Sequence, residues 1–93
     1  MFKIQRWTNE NVVVFALSGQ IESAGLAELQ KLLESEPGDQ SICLDLKETK
    51  LVDRDVIGFL AACEAKGVKI TNCPAYIREW IEREAAQRRI PSR

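Results

Sequence analysis

The run Val12-Val13-Val14-Phe15-Ala16-Leu17 constrains the fold more than any other stretch of the chain. It is apolar at every position and rich in β-branched residues, so it reads as a strand covered on both faces. Upstream, residues 2–7 alternate as a strand does, with Phe2 and Ile4 on one face. Thr8-Asn9-Glu10-Asn11 is a polar cluster suited to a hairpin turn, and Ser18-Gly19 breaks the apolar run. Residues 2–17 are therefore expected to form a β-hairpin whose second strand is central. Val13, Phe15 and Leu17 can face helices. Val12, Val14 and Ala16 then point the other way and need another cover, and the sequence leaves open whether that face is filled.

After Gly19 the period changes. From Ala24 to about Glu36, Leu26, Leu29, Leu32 and Leu33 fall on one helical stripe, with Ser23 or Glu22 as candidate caps. Pro37-Gly38-Asp39 ends that helix. Ser41 to Leu46 reads as a second buried strand, with Ile42, Leu44 and Leu46 alternating against Cys43 and Asp45, followed by a polar connector, Lys47 to Lys50. A second helix is expected from about Asp53, its N-cap, to Lys66. Val52, Val56, Phe59, Leu60 and Cys63 make its apolar face, and Gly67 is its stop. Val68 to Thr71 is a short strand. Pro74 suits the first position of a third helix, whose Ile77, Trp80, Ile81, Glu84 and Ala85 follow helical spacing. The expected fold is α/β, a mixed four-stranded sheet in β-β-α-β-α-β-α order, forming one domain over residues 1–87. Residues 88–93 are expected to be a frayed basic tail.

Composition narrows the chemistry. The 93 residues hold no histidine, which removes Ser-His-Asp and Cys-His catalysis and most catalytic zinc sites. Thirteen basic against fourteen acidic residues give a net charge of −1, without the basic excess of a nucleic-acid binder. Arg88, Arg89 and Arg93 lack interleaved aromatics and read as a solvated helix end. Three widely spaced cysteines, Cys43, Cys63 and Cys73, form no CxxC, which points to reduced thiols and a cytoplasmic location. The opening MFKIQRW does not read as a signal peptide, and no apolar run is long enough to insert in a membrane.

Three segments, in order, resemble one family. Leu17-Ser18-Gly19-Gln20-Ile21-Glu22 looks like a strand-end LSGELD element. Ile42-Cys43-Leu44-Asp45-Leu46, a six-residue connector and Asp53 look like a DL…D-S-S-G-L stretch. Lys66-Gly67-Val68-Lys69-Ile70-Thr71-Asn72-Cys73-Pro74 looks like G-x-L-x-L-x-N-x-P. Together they are similar to STAS domains, the sulphate-transporter and anti-sigma-factor-antagonist family. The resemblance spans roughly residues 2–85 and implies a non-enzymatic regulatory module that binds a kinase-type anti-sigma factor. It places Asp53 at the family aspartate, Arg54 at the first serine, Asp55 at the phosphorylated serine and Val56 at the glycine. Ile57 then matches the leucine and Gly58 the next glycine. The chain departs from the pattern at its switch: Asp55 has no hydroxyl to phosphorylate, and its carboxylate resembles half a phosphate in charge. The expected partner surface is Asp53, Arg54, Asp55 and Val56 with Glu64 on the second helix. Beside this stands a plainer role for Asp53 and Asp55, as acidic residues favoured by the helix dipole.

Other expectations compete with it. Asp45, Asp53 and Asp55 lie at strand ends, where α/β proteins bind ligands, and Cys73 precedes a helix N-terminus, which lowers thiol pKa values. A small ligand-binding or enzymatic domain using Asp45 and Asp53, or Cys73, is the first alternative. An accessory STAS subunit of a lipid transporter is the second. No metal and no other cofactor is expected, nucleic acid is not an expected partner, and homodimerisation is left open.

Overall fold

A computed structural model describes residues 2–36 and 41–89. Strand β1 (Phe2–Asn9) turns through Glu10 and Asn11 into β2 (Val12–Ile21), and Asn9 pairs with Val12 across a two-residue loop. Glu10 takes the left-handed backbone (φ 57°) that such tight turns demand. Helix α1 (Ser23–Glu34), strand β3 (Ser41–Val52), helix α2 (Arg54–Ala65), strand β4 (Lys69–Thr71) and helix α3 (Ala75–Arg89) complete the β-β-α-β-α-β-α order. The Pro37-Gly38-Asp39 turn and residues 90–93 lie outside the described residues. Helix α3 continues through Arg88 and Arg89, which the sequence reading assigned to a tail.

The sheet is mixed, in the order β1-β2-β3-β4: β1 runs antiparallel to β2, while β2, β3 and β4 are parallel. Strand order never reverses, so crossovers of one hand stack α1 and α2 on the same face. The core bears this out. Val13, Phe15 and Leu17 of β2 and Leu44 and Leu46 of β3 share one fully or almost fully buried cluster with Leu29, Val56, Ile57, Leu60, Ile77 and Ile81 of the three helices. Leu26, Leu32, Leu33 and Phe59 pack around it, as the helical stripes anticipate.

Two strands run past their expected ends. Neither Ser18-Gly19 nor Lys47–Lys50 breaks the pairing: Ser18 opposes Glu48, Gly19 opposes Thr49, and Ile21 opposes Val52. Register shifts between Ala16 and Ser18 and between Gly19 and Gln20 absorb the irregularity. Gly19 (φ 89°) supplies the backbone conformation that the bulge needs. The connector is therefore strand, stitched in place by the buried Thr49, whose hydroxyl donates to the Leu17 carbonyl at 2.9 Å. At the end of α2, Gly67 (φ 103°) closes the helix as expected, with its N–H on the Glu64 carbonyl and the Val68 N–H on the Cys63 carbonyl.

The opposite face of the sheet has no helix on it among the described residues. Val12, Val14 and Ala16 are half-buried where Val13, Phe15 and Leu17 are sealed. Among the described residues, the two-sided cover that the apolar run demands is present on one side only.

Candidate functional site

Parallel strands β2 and β3 end side by side, so the helices that follow them start side by side. The shallow crevice between them lies at the carboxyl ends of the parallel strands, the end at which α/β sheets bind ligands, without the reversal of strand order that opens a switch-point cleft. Asp53 sits at its centre as the N-cap of α2, as expected: one carboxylate oxygen, Oδ1, accepts the Val56 N–H at 3.3 Å. Its other oxygen, Oδ2, crosses to α1 and accepts the Ser23 N–H at 2.8 Å. One side chain thus caps two helices. The expected caps of α1 are corrected here: Glu22 holds the N-cap position without a side-chain hydrogen bond, and Ser23 is the first helical residue. Glu22 is exposed, and the free N–H of the first turn is met from α2 instead.

The Ser23 hydroxyl completes the cluster. It lies 2.9 Å from Asp53 Oδ2 and 2.9 Å from Asp55 Oδ2, and its single proton can be donated to one of them at a time. The Ser23 N–H is the main influence holding the Asp53 carboxyl below its ordinary value; its partial burial opposes that, and the Ser23 hydroxyl and Val56 N–H reinforce it. Asp53 is half-buried, while Arg54 and Asp55 are exposed on the first turn of α2. Arg54 also lines a shallow cavity of about 220 Å³ with Trp80, Arg83, Glu84 and Gln87. The crevice rim therefore offers both signs of charge.

Two of the expected contact residues do not join this rim. Val56 is fully buried in the core, so its side chain has no surface to offer a partner. Glu64 lies near the other end of α2, ten residues from Arg54 and on the order of 15 Å along the axis. It is engaged by Arg78 of α3 through two hydrogen bonds, at 2.8 and 3.2 Å. Asp53, Arg54 and Asp55 are together; Val56 is beneath them and Glu64 is elsewhere.

The residues of the alternative sites make local contacts of their own. Asp45 Oδ1 accepts the Lys47 N–H at 3.0 Å and the Asn72 amide at 3.2 Å, a local bracing role eight residues away from Asp53. Among the described residues no group of three or more His, Cys, Asp or Glu side chains is placed to hold a metal ion. Burial raises the Cys73 thiol pKa, although Arg78 pulls the other way, which opposes the thiolate that a nucleophile needs. Cys63 is pushed up to about 11 by burial.

Ser23 is the residue that sequence reasoning underrated. Its partner lies thirty positions away, and only the adjacency of two parallel strand ends could have paired them. Fold and site together define a two-layer α/β domain with a helix-capping carboxylate at the crevice of its parallel strands. No protein-family model matches the chain, and no curated protein matches it. No helix among the described residues is long and apolar enough to cross a membrane.

Proposed function

We propose that the chain is a non-enzymatic regulatory module that binds a protein partner through the rim of Arg54 and Asp55 beside Ser23, in the manner of an anti-sigma-factor antagonist. The observation that carries this reading is the division of labour between neighbouring acids. Both oxygens of Asp53 are spent on Ser23 and the Val56 N–H, whereas Asp55, met at Oδ2 by the Ser23 hydroxyl alone among the hydrogen bonds described, is exposed at the start of α2. A carboxylate whose oxygens already accept backbone N–H groups is a poor acid or base. An exposed charge on a rigid helix start is a good recognition feature. Asp55 would act as a constant negative charge where related modules carry a serine that gains and loses phosphate. The partner class that fits the resemblance is a kinase-type anti-sigma factor, in the cytoplasm.

The test is titration calorimetry of the chain and of Asp55→Ser against a kinase-type anti-sigma factor from the same genome. Removing the fixed charge is expected to raise affinity about ten- to a hundredfold, the size of one interfacial charge. Val56 stays untouched, because Val56→Gly would open a core cavity and confound the result. Absence of binding by both proteins, with circular dichroism showing both folded, overturns the reading.

A further inference from the structure

Strand β1 stands at one edge of the sheet, and among the described residues its one strand neighbour is β2. The pairing runs without a register shift from Phe2↔Gly19 to Asn9↔Val12, where a two-residue loop joins the strands. Residues that flank such a loop exchange backbone hydrogen bonds, and the pattern alternates from there. Asn9, Trp7, Gln5 and Lys3 therefore spend their backbone groups on β2. The N–H and C=O groups of Thr8, Arg6, Ile4 and Phe2 point outward along an open edge. Natural sheets blunt a long edge with proline, a bulge or charge. These eight residues have no proline, and their register has no bulge. Their charges are Lys3 and Arg6, and Arg6 is already held by Glu36 through hydrogen bonds of 2.8 and 2.9 Å. The opposite edge is the three-residue β4, which has little backbone to offer.

We propose that the outer edge of β1 pairs antiparallel with the same edge of a second copy, about a two-fold axis that passes beside Gln5 perpendicular to the sheet. The two sheets then become one continuous sheet with every helix on the same face. The register selects a second copy. Outward residues must oppose outward residues, so only every second register is in phase. Two in-phase registers keep nearly the whole strand. The one centred on Arg6 sets that guanidinium against its own copy. The one centred on Gln5 sets Ile4 opposite Arg6 of the partner subunit and Phe2 opposite Thr8 of the partner subunit, on the helix side. On the open side Lys3 comes opposite Trp7 of the partner subunit, an ammonium beside an indole that is 45 % exposed in the single chain. At the axis Gln5 meets Gln5 of the partner subunit, and an amide is both donor and acceptor. Each contact occurs twice, as two-fold symmetry requires. The strand thus supplies its own complement: no charge opposes its like, and the charge of Lys3 lands on an aromatic ring.

The pairing makes about eight backbone hydrogen bonds, within the range of a whole protein–protein interface. A strand about 24 Å long and about 15 Å deep, side chains included, buries on the order of 700 Å² for the pair. That area belongs to weak, reversible association, with an expected dissociation constant on the order of 100 μM.

The experiment is sedimentation equilibrium of the full chain from about 10 to about 1,000 μM, a range that brackets this constant. Gln5→Lys and Gln5→Glu each change an exposed side chain, and circular dichroism checks that the variants are folded. Each sets like charges face to face at the axis and is expected to weaken the dimer about tenfold or more. Mixed one to one, the two variants set opposite charges at the same point and are expected to regain the affinity of the wild type. Thr8→Pro removes an outward N–H from each copy and touches no bond to β2. It is expected to weaken the dimer by a similar factor, and it decides if a Gln5 variant fails to fold. A wild-type chain that stays monomeric at the highest concentration overturns the proposal. So does a dimer that these substitutions leave intact, or a mixture of the Gln5 variants that associates no better than either alone.

Discussion

The two faces of β2 carry the same kind of residue and meet opposite fates. Val13, Phe15 and Leu17 are sealed against three helices, while Val12, Val14 and Ala16, alternating with them, look out from a bare sheet. An unbroken apolar strand states a demand for cover on both sides. It does not state who supplies it. The cause lies in topology: a strand order that follows chain order puts every crossover helix on one side. A doubly wound sheet of the same strands would have satisfied both faces within one chain.

Substitutions on either side of the sheet turn this asymmetry into numbers. The largest expected effect is in the helix-covered core. Leu44 is fully buried in β3, and Leu44→Ala is expected to cost about 2–5 kcal/mol in a urea titration. A loss below about 1 kcal/mol would mean that β3 is not central to the core. Next comes the buried polar stitch at the bulge. Thr49→Val removes the donor to the Leu17 carbonyl and is expected to cost about 1–2 kcal/mol. A neutral result would show that the strand extension past Gly19 stands without it.

The crevice clamp gives a pH signature. The Asp53 carboxyl is held below its ordinary value in the folded chain. The stability it confers is therefore present above about pH 4, the ordinary aspartate range, and is lost as pH falls through the depressed folded value. Glu36, lowered mainly by its hydrogen bond from Arg6, titrates with the same sign. Asp53→Asn is expected to lower stability at pH 7 and to flatten, but not abolish, the acid limb; a limb identical to wild type would remove Asp53 from the clamp. The smallest effect belongs to the bare face. Ala16→Ser in the dilute chain is expected to change stability by less than about 0.5 kcal/mol, as surface substitutions do, and a loss above about 1 kcal/mol would mean that the face is covered within the monomer.

What was legible in the sequence follows the range of the interactions. The hairpin, the three amphipathic helices, the Asp53 cap and the Gly67 stop all rest on signals within a few residues, and each is present. The strand extensions were not legible. Lys47-Glu48-Thr49-Lys50 has the composition of a loop, and it is strand only because Ser18–Ile21 lies beside it and Gly19 permits the bulge. The pairing of Ser23 with Asp53 and Asp55 was hidden for the same reason. Val56 shows the opposite limit: its alignment to a loop position suggested a contact residue, while its place on the apolar stripe of α2, equally visible, put it in the core.

The most direct measurement sets adjacent positions of one strand against each other: Val13→Lys and Val14→Lys, compared by circular dichroism and urea unfolding in dilute solution. Val13→Lys forces an unpaired ammonium into a sealed core, and the chain should be unfolded without denaturant. Val14→Lys lets its ammonium reach water from the bare face, and the chain should stay folded with an unfolding midpoint near that of the wild type. Unfolding of both variants, or tolerance of Val13→Lys, would contradict the asymmetry on which the account rests.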